Sequence, residues 1–459
     1  MRLCSVGIVA AVALVSCTPV VSEVDPSTLS TTVPVSSSES VIGPASSTPA
    51  TVPRTASAGE VASERACDGR PGGAFADGAE VTLERIGQGS GWELYAAEYP
   101  LPGPTEGLWS QWGQGIVSSV DGHHYSALGD HLGPDGNSYI YEYDPSTRTL
   151  ARIMDVLSLT DHRAGAWGYG KIHAQMVEDA CGSIWTFTYW GTRTDIRYGD
   201  GYEGDLLLEI DPNTREVRNH GALVGERGVP SLIATPDGRY LVGESVEADT
   251  DDGDLVVIDT QTASVVQTID DPGHVGFRAL AHDGDGRVLY SVEDRSLMAL
   301  TPSTGETVDT GVDVPGEGPE FLRAVTPLTP DGRFFGVNQY GYELFAVDGT
   351  GSLEVIGDAR EYTASLAMTP DGDRLFWMPG AHGDAWQLDG SILELDTATG
   401  DTREVISLVE PFEDAFGLLP GGTYSINYHE GSLIVGVNAS PLDDDSGFGT
   451  VVLVVIEGV

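Results

Sequence analysis

The sequence predicts an all-β fold, a seven-bladed β-propeller, and three observations predict it. Short apolar runs recur along the chain without a helical period. One turn signature repeats seven times between such runs, and each of the first six copies is followed by a second hairpin. The seventh copy lacks a strand, which an apolar run near the start of the domain can supply.

The repeat is clearest in "ATPDGRYLVG" from Ala234, "LTPDGRFFGV" from Leu328 and "MTPDGDRLFW" from Met368. Weaker relatives begin at Ser119, Val177, Ala281 and Tyr428. Each places a turn centred on Asp-Gly, or a similar pair, between two apolar runs, with glycine supplying the positive φ of a hairpin. The turn glycines are Gly122, Gly182, Gly238, Gly286, Gly332, Gly372 and Gly431, spaced by 40 to 60 residues. Second hairpins such as "YIYEYDPSTRTLARI" and "LLLEIDPNTREV" follow the first six. Two hairpins make four strands, which is one blade. In the seventh copy "TVVLVVIEGV" forms a third strand, and "AEVTLERI" near Glu80 is expected to add the fourth, pairing the two ends and leaving no open edge in the ring. The domain is expected to span 64–459.

The Asp-Pro-Asn-Thr-Arg and Thr-Pro-Asp-Gly-Arg turns, on this period, resemble those of bacterial propellers of the YVTN, lactonase and quinoprotein-like grouping. The resemblance covers nearly all of the domain. It rests on turn motifs, so it implies the fold and leaves lactonases, lyases, dehydrogenases and binding proteins all open as functions.

Ahead of the domain, Arg2, an apolar run from Val6 to Val15 and the sequence Leu14-Val15-Ser16-Cys17 read as a signal peptide over 1–16 ending in a bacterial lipobox. Cys17 is then expected to carry lipid, anchoring the protein extracytoplasmically, on the outer side of the cytoplasmic membrane. An ordinary cleaved signal with a chance cysteine is the alternative. Residues 17–63 are rich in Ser, Thr, Val, Pro and Ala and read as a disordered tether, too poor in aromatics to offset the entropy of folding. Of four cysteines, Cys67 and Cys181 remain for the domain, and a disulfide between them is expected over two unpaired thiols.

Seventy acidic residues stand against 23 basic ones, which argues against nucleic acid or an anionic membrane face as a partner. All the cations but Lys171 are arginine, as suits a GC-rich, salt-adapted source. That account makes lysine scarce without explaining the survivor, which lies in "WGYGKIHAQM" two residues before His173.

Propeller topology gathers residues from the starts of innermost strands and the ends of second strands at one mouth. The starts supply Lys171, His173, Ser231, Arg278, Arg323, Ser365 and Tyr424. The second-strand ends supply Asp130, His131, Tyr189, Trp190, Glu244, Glu293, Asn338, Gln339 and Tyr340. Lys171, His173, Arg278 and Arg323 would form an anion site, with arginine suited to carboxylates. Trp190, Tyr340 and Trp112 could stack on a flat ligand or sugar, while Glu244 and Glu293 temper the charge or bind hydroxyls. Structural readings stand beside these: arginines paired with Glu244, Glu293 or Glu320, a packing histidine, inter-blade aromatics. Metal signals are weak. His131 and His173 with Gln175 or Glu244 could take a divalent ion, and the acidic loops from Glu247 and Pro441 are better read as solvated than as calcium sites. Phosphate-loop, nucleophile-elbow and haem motifs are missing.

Three functions follow. The first is a lipid-anchored module binding a small anionic or carbohydrate ligand. The second is a lyase or lactone hydrolase acting on a carboxylated sugar, with Lys171 or His173 as base. The third is a protein-interaction scaffold with no small ligand.

Overall fold

A computed structural model describes residues 78–102, 109–190, 201–247, 253–270, 279–381, 383–444 and 446–459. The signal and tether segments, Cys17, Cys67 and Arg278 lie outside the described residues.

Seven antiparallel sheets follow one another along the chain. Blade 1 runs outward from Ile116–Val117 through His124–Gly129 and Ser138–Asp144 to Thr149–Asp155. Blades 2 to 6 repeat the same four-strand meander, starting at Val177–Glu178, Gly228–Ala234, Ala281–His282, Leu322–Val325 and Ala367–Met368. The fold is the seven-bladed propeller that the turn repeat predicts. All seven turn glycines have φ between 62° and 83°, the left-handed region that a hairpin of this kind needs. The outer hairpins reuse the device at one equivalent position, where Arg148, Arg215, Ala263, Gly305, Gly351 and Gly400 all have positive φ.

The ring closes between the two ends of the domain, but through a different strand from the one expected. Blade 7 comprises Leu418–His429, Ser432–Pro441 and Thr450–Glu457, and its fourth strand is Glu93–Glu98. Leu94 pairs with Ile456 and Ala96 with Val454. The "AEVTLERI" run instead divides between the outer edges of two neighbouring blades. Glu80–Thr82 lies on the outermost strand of blade 1, and Glu84–Gln88 is a fifth strand on blade 7. Buried Leu83 sits between them, so this run clamps the join from outside rather than forming it.

Every interface between neighbouring blades has its own apolar cluster. Ile140, Met154, Ile184 and Leu208 join blades 1 and 2. Phe376, Ile392, Val435, Val454 and Leu94 join blades 6 and 7, together with Phe412 of the helix Val409–Phe416. Burial of such side chains stabilises by about 1.5–3 kcal/mol each and is the main term holding the ring. On the outside, all six outermost strands of blades 1 to 6 carry a register shift against their neighbour. Such bulges blunt the exposed edges against pairing with another chain.

Leu94, fully buried in the joint between blades 6 and 7, is the residue on which closure can be tested. Leu94→Ala is expected to lower unfolding stability by about 2–5 kcal/mol in urea titration. Ile86→Ala, on the half-buried outer strand, should cost less than half as much.

Candidate functional site

The mouth is built where blades 1 and 2 approach backbone to backbone. A Cβ on Gly129 would lie 1.9 Å from the Gly170 carbonyl oxygen, so only glycine fits there. The contact continues as the His131 N–H donates to Gly170 O at 2.9 Å, with His131 itself at φ 62°. This close approach explains the glycines of "WGYGKIHAQM" and carries Lys171 and His173 to the axis. Tyr189 N–H donates to Lys171 O at 2.8 Å and fixes the strand start.

At the centre stands Trp112. Its ring centroid lies 5.3 Å from His173, 5.5 Å from His131, 5.1 Å from Tyr424 and 5.4 Å from Phe448. The Lys171 ammonium sits 4.5 Å above the same indole, a cation–π contact on a lysine that is 8% exposed. Tyr189 stacks on the other partner, His173, at 4.2 Å and 13°. The lone lysine is therefore packed on the tryptophan at the heart of the mouth.

Beside this cluster a small cleft, with room for about one water molecule before it opens to solvent, is lined by Trp112, Gln114, His173, Gln175, Arg323, Ala364 and Tyr424. They come from the innermost strands, or the residues just before them, of blades 1, 2, 5, 6 and 7. Arg323 is 3% exposed. Its Nε donates to the Tyr362 hydroxyl at 2.5 Å, and its guanidinium lies 4.8 Å from the Tyr362 ring and 5.7 Å from that of Tyr424. Arg323 Nη2 is buried and makes no hydrogen bond, and no carboxylate of a described residue pairs with this side chain. Glu320, offered by the sequence as its structural partner, instead accepts from Tyr340 N–H at 2.6 Å and from Gly341 N–H at 3.2 Å.

Several expected site residues stand elsewhere. Trp190 is 3% exposed and packs in the core between blades 1 and 2, where a Cβ on Gly228 would strike it. Neighbouring Tyr189, in ring contact with Trp190 at 4.3 Å, bridges that core to His173. Asn338 is spent on structure: Nδ2 donates to Pro315 O at 2.8 Å and Oδ1 accepts from Glu343 N–H at 2.6 Å. Tyr340 is 52% exposed beside Phe321 and does not line the cavity. Glu244 is buried opposite Ser231 in blade 3, also off the cavity wall. Lys171 and His131 are held against Trp112 rather than on that wall. Arg278 lies outside the described residues. Cys181 is disulfide-bonded, and its expected partner Cys67 is outside them too.

The metal set of His131, His173 and Glu244 does not converge. Among the described residues the one group of three metal-capable side chains is Asp121, His123 and Glu142. There Arg215 pairs with Glu142 at 2.6 Å, His123 contacts the same carboxylate at 2.6 Å, and the Tyr125 hydroxyl donates to Asp121 at 2.8 Å. Arg215 offsets one of the two carboxylate charges there, and the hydrogen bonds occupy oxygens that an ion would need. The loop from Pro441, considered for calcium, delivers Phe448 to Trp112. Phe448 and Tyr362 were not anticipated from the sequence, since one sits in an acidic loop and the other precedes its strand.

Burial and the nearby Lys171 charge hold the His131 imidazole down to about 3, and burial alone does the same to His124. Burial pushes the Asp130 carboxyl up to about 6.

No protein-family model matches the chain, and no curated protein matches it. Solved structures do. Virginiamycin B lyase from Staphylococcus aureus aligns with 80% of this chain and 100% of its own at 9% identity and a TM-score of 0.52. A catalytically inactive histidine-to-alanine form of that lyase, solved with quinupristin, aligns with 79% of this chain and 99% of its own at 9% identity and 0.51. A suspected 6-phosphogluconolactonase from Bacteroides fragilis gives 16% identity and 0.44 over 64% of this chain and 83% of its own. The lyase likeness establishes the propeller fold. At this identity it says nothing of chemistry.

The pH dependence of stability separates these buried groups. Folded His124 stays neutral down to about pH 3, whereas the unfolded chain protonates it below about 6.5. Its contribution is therefore complete at neutral pH and is lost progressively as pH falls from about 6.5 to about 3. His124→Gln should lose less stability than the parent between about pH 7 and pH 5 in urea titrations. Asp130→Asn should show the opposite sign, because the folded carboxyl takes its proton first as pH falls.

Proposed function

We propose that this protein is a lipid-anchored extracytoplasmic propeller whose axial pocket binds a small anionic ligand. Lipidation at Cys17 and placement on the outer side of the membrane belong to the proposal and rest on the lipobox. The observation that carries the ligand reading is Arg323. A guanidinium this deeply buried, without an acidic partner among the described residues and with Nη2 unpaired at a cavity wall, is costly unless an anion meets it. Trp112, His173 and Tyr424 supply the flat walls. The charge of −47 argues against nucleic acid as a partner.

A second reading is a lyase or lactone hydrolase. It is favoured by one observation: the His173 imidazole shares the cavity wall with Arg323, so a base and an anion anchor face the same space. In this reading Arg323 holds a carboxylate or carbonyl oxygen and His173 takes a proton from the bound substrate.

Purified protein titrated with acetate, benzoate and glucuronate should gain thermal stability by mass action with at least one of them. Arg323→Gln should weaken that binding at least thirtyfold, about 2 kcal/mol. Because the body of the protein is strongly acidic, anion affinity should rise as salt goes from about 0.02 to about 0.3 M, the reverse of an ordinary ion pair. If turnover of a lactone or uronate is found, His173→Ala should abolish it while only weakening the ligand-induced shift in melting temperature.

A further inference from the structure

Asp205 stands at the head of the strand Leu206–Asp211 in blade 2 and is fully buried. Thr188 N–H donates to Leu206 O at 3.0 Å, so this end of the strand lies beside Tyr189, on the side of the blade that carries the mouth. The carboxyl faces the first strand of blade 3, Gly228–Ala234, where its Oδ2 accepts from Val229 N–H at 2.8 Å. The Asp205 N–H donates to Arg227 O at 3.1 Å. One residue thus holds the lead-in to blade 3 through both side chain and backbone.

The other carboxyl oxygen shows that a proton is missing from this count. Oδ1 lies 3.1 Å from the Tyr202 hydroxyl, and the same hydroxyl lies 2.8 Å from Arg227 O. A phenol has one proton to donate, whereas a carbonyl and an ionised carboxylate only accept. With Asp205 ionised, one of the two contacts would set lone pair against lone pair in a joint without water. A hydroxyl donating to a carboxylate closes to about 2.5–2.7 Å. The contact to Asp205 is the longer of the two, so the Tyr202 proton belongs to Arg227 O. A neutral Asp205 completes the set: its own O–H donates to the Tyr202 oxygen, Tyr202 donates to Arg227 O, and Oδ2 accepts from Val229 N–H.

Nothing around the carboxyl would hold a charge in its place. The Arg227 guanidinium is turned to Glu247 at 3.0 Å and Asp254 at 2.8 Å. Tyr202 packs against Trp167 at 5.7 Å and Tyr169 at 6.4 Å, and the Tyr169 hydroxyl donates to Gly204 O at 3.2 Å. Glu203, in the same turn, is exposed and acidic. Burial accordingly pushes the Asp205 carboxyl well above the usual carboxylate range, and Val229 N–H and the Tyr202 hydroxyl pull it back only in part.

We propose that Asp205 keeps its proton at neutral pH and serves as a proton-operated latch between blades 2 and 3, complete while the proton is held and weakened as rising pH withdraws it. The latch stands independently of the anion reading of the axial cleft.

Infrared difference spectra and paired urea titrations test it. Ordinary carboxyls are ionised at about pH 7. Parent minus Asp205→Asn is therefore expected to show the carbonyl band of one protonated carboxyl. The asparagine amide donates on one side and accepts on the other, as the neutral acid does, so the variant should keep the joint. Unfolded Asp205 loses its proton above about pH 3.9 while the folded residue retains it, so folding takes up a proton and stability falls as pH rises. The unfolding constant of the parent, relative to Asp205→Asn, should rise about tenfold per pH unit between about pH 5 and pH 7. Hydrogen exchange in Gly228–Ala234, corrected for intrinsic rates, should lose protection over the same range in the parent and not in the variant. Tyr202→Phe keeps the ring and removes the acceptor of the Asp205 proton, so it should move the band to higher frequency. No protonated-carboxyl band, and no slope relative to Asp205→Asn, would overturn the proposal. A band that Tyr202→Phe leaves in place would overturn the pairing with Tyr202. A band and a slope with unchanged protection of Gly228–Ala234 would overturn the latch.

Discussion

The architecture depends on satisfying the inner edges of seven sheets. Each innermost strand turns a row of backbone N–H and C=O groups toward the axis, where no further strand can pair with them. Side chains from the preceding blade take up part of that duty. Gln175 accepts from Leu232 N–H at 3.0 Å, Ser291 from Leu322 N–H at 3.1 Å, and Ser365 from Ile426 N–H at 3.0 Å. Ser425 does the same for Gly115 N–H at 2.9 Å across the closure, and Asp205 for Val229 N–H at 2.8 Å. These bonds fix the angle between blades.

Against that background the cations stand out. The protein carries its acid on turns and outer strands, where aspartates such as Asp211, Asp348 and Asp396 cap their own backbone. Its one lysine and a buried arginine without an acidic partner among the described residues lie at the axis, each against an aromatic face. Aromatic faces soften the cost of burying a cation without neutralising it, so the positive field remains available in the pocket.

The blade count was legible because the turns are local: a hairpin glycine declares itself within four residues. The closing strand was not, because a strand's own pattern does not name its partner. "AEVTLERI" alternates as well as any edge strand, while the true closing strand, Glu93–Glu98, owes its place to small Ala96 and Ala97 fitting against a valine-rich neighbour. In the site, topology alone placed Arg323, His173 and Tyr424 on the wall. It failed at Trp190, whose indole packs into the core between blades, and at Asn338, whose amide is bonded to Pro315 and Glu343. Tyr362 escaped because it lies ahead of its strand, where periodicity offers no signal.

Ring closure by Glu93–Glu98 carries a consequence for how the chain folds. That strand emerges early in synthesis, yet its partner Thr450–Glu457 follows more than three hundred residues later. Blades 2 to 6 are local meanders that can form in sequence, each templated by the one before. The final pairing is of very high contact order and must wait for the whole circle. Until then Glu93–Glu98 has only its local hairpin partner Glu84–Gln88 and its other edge stays open, which makes the nearly finished open ring the species most exposed to misassociation. The half-cystine at Cys181 lies in blade 2, within the arc that can fold before the circle closes.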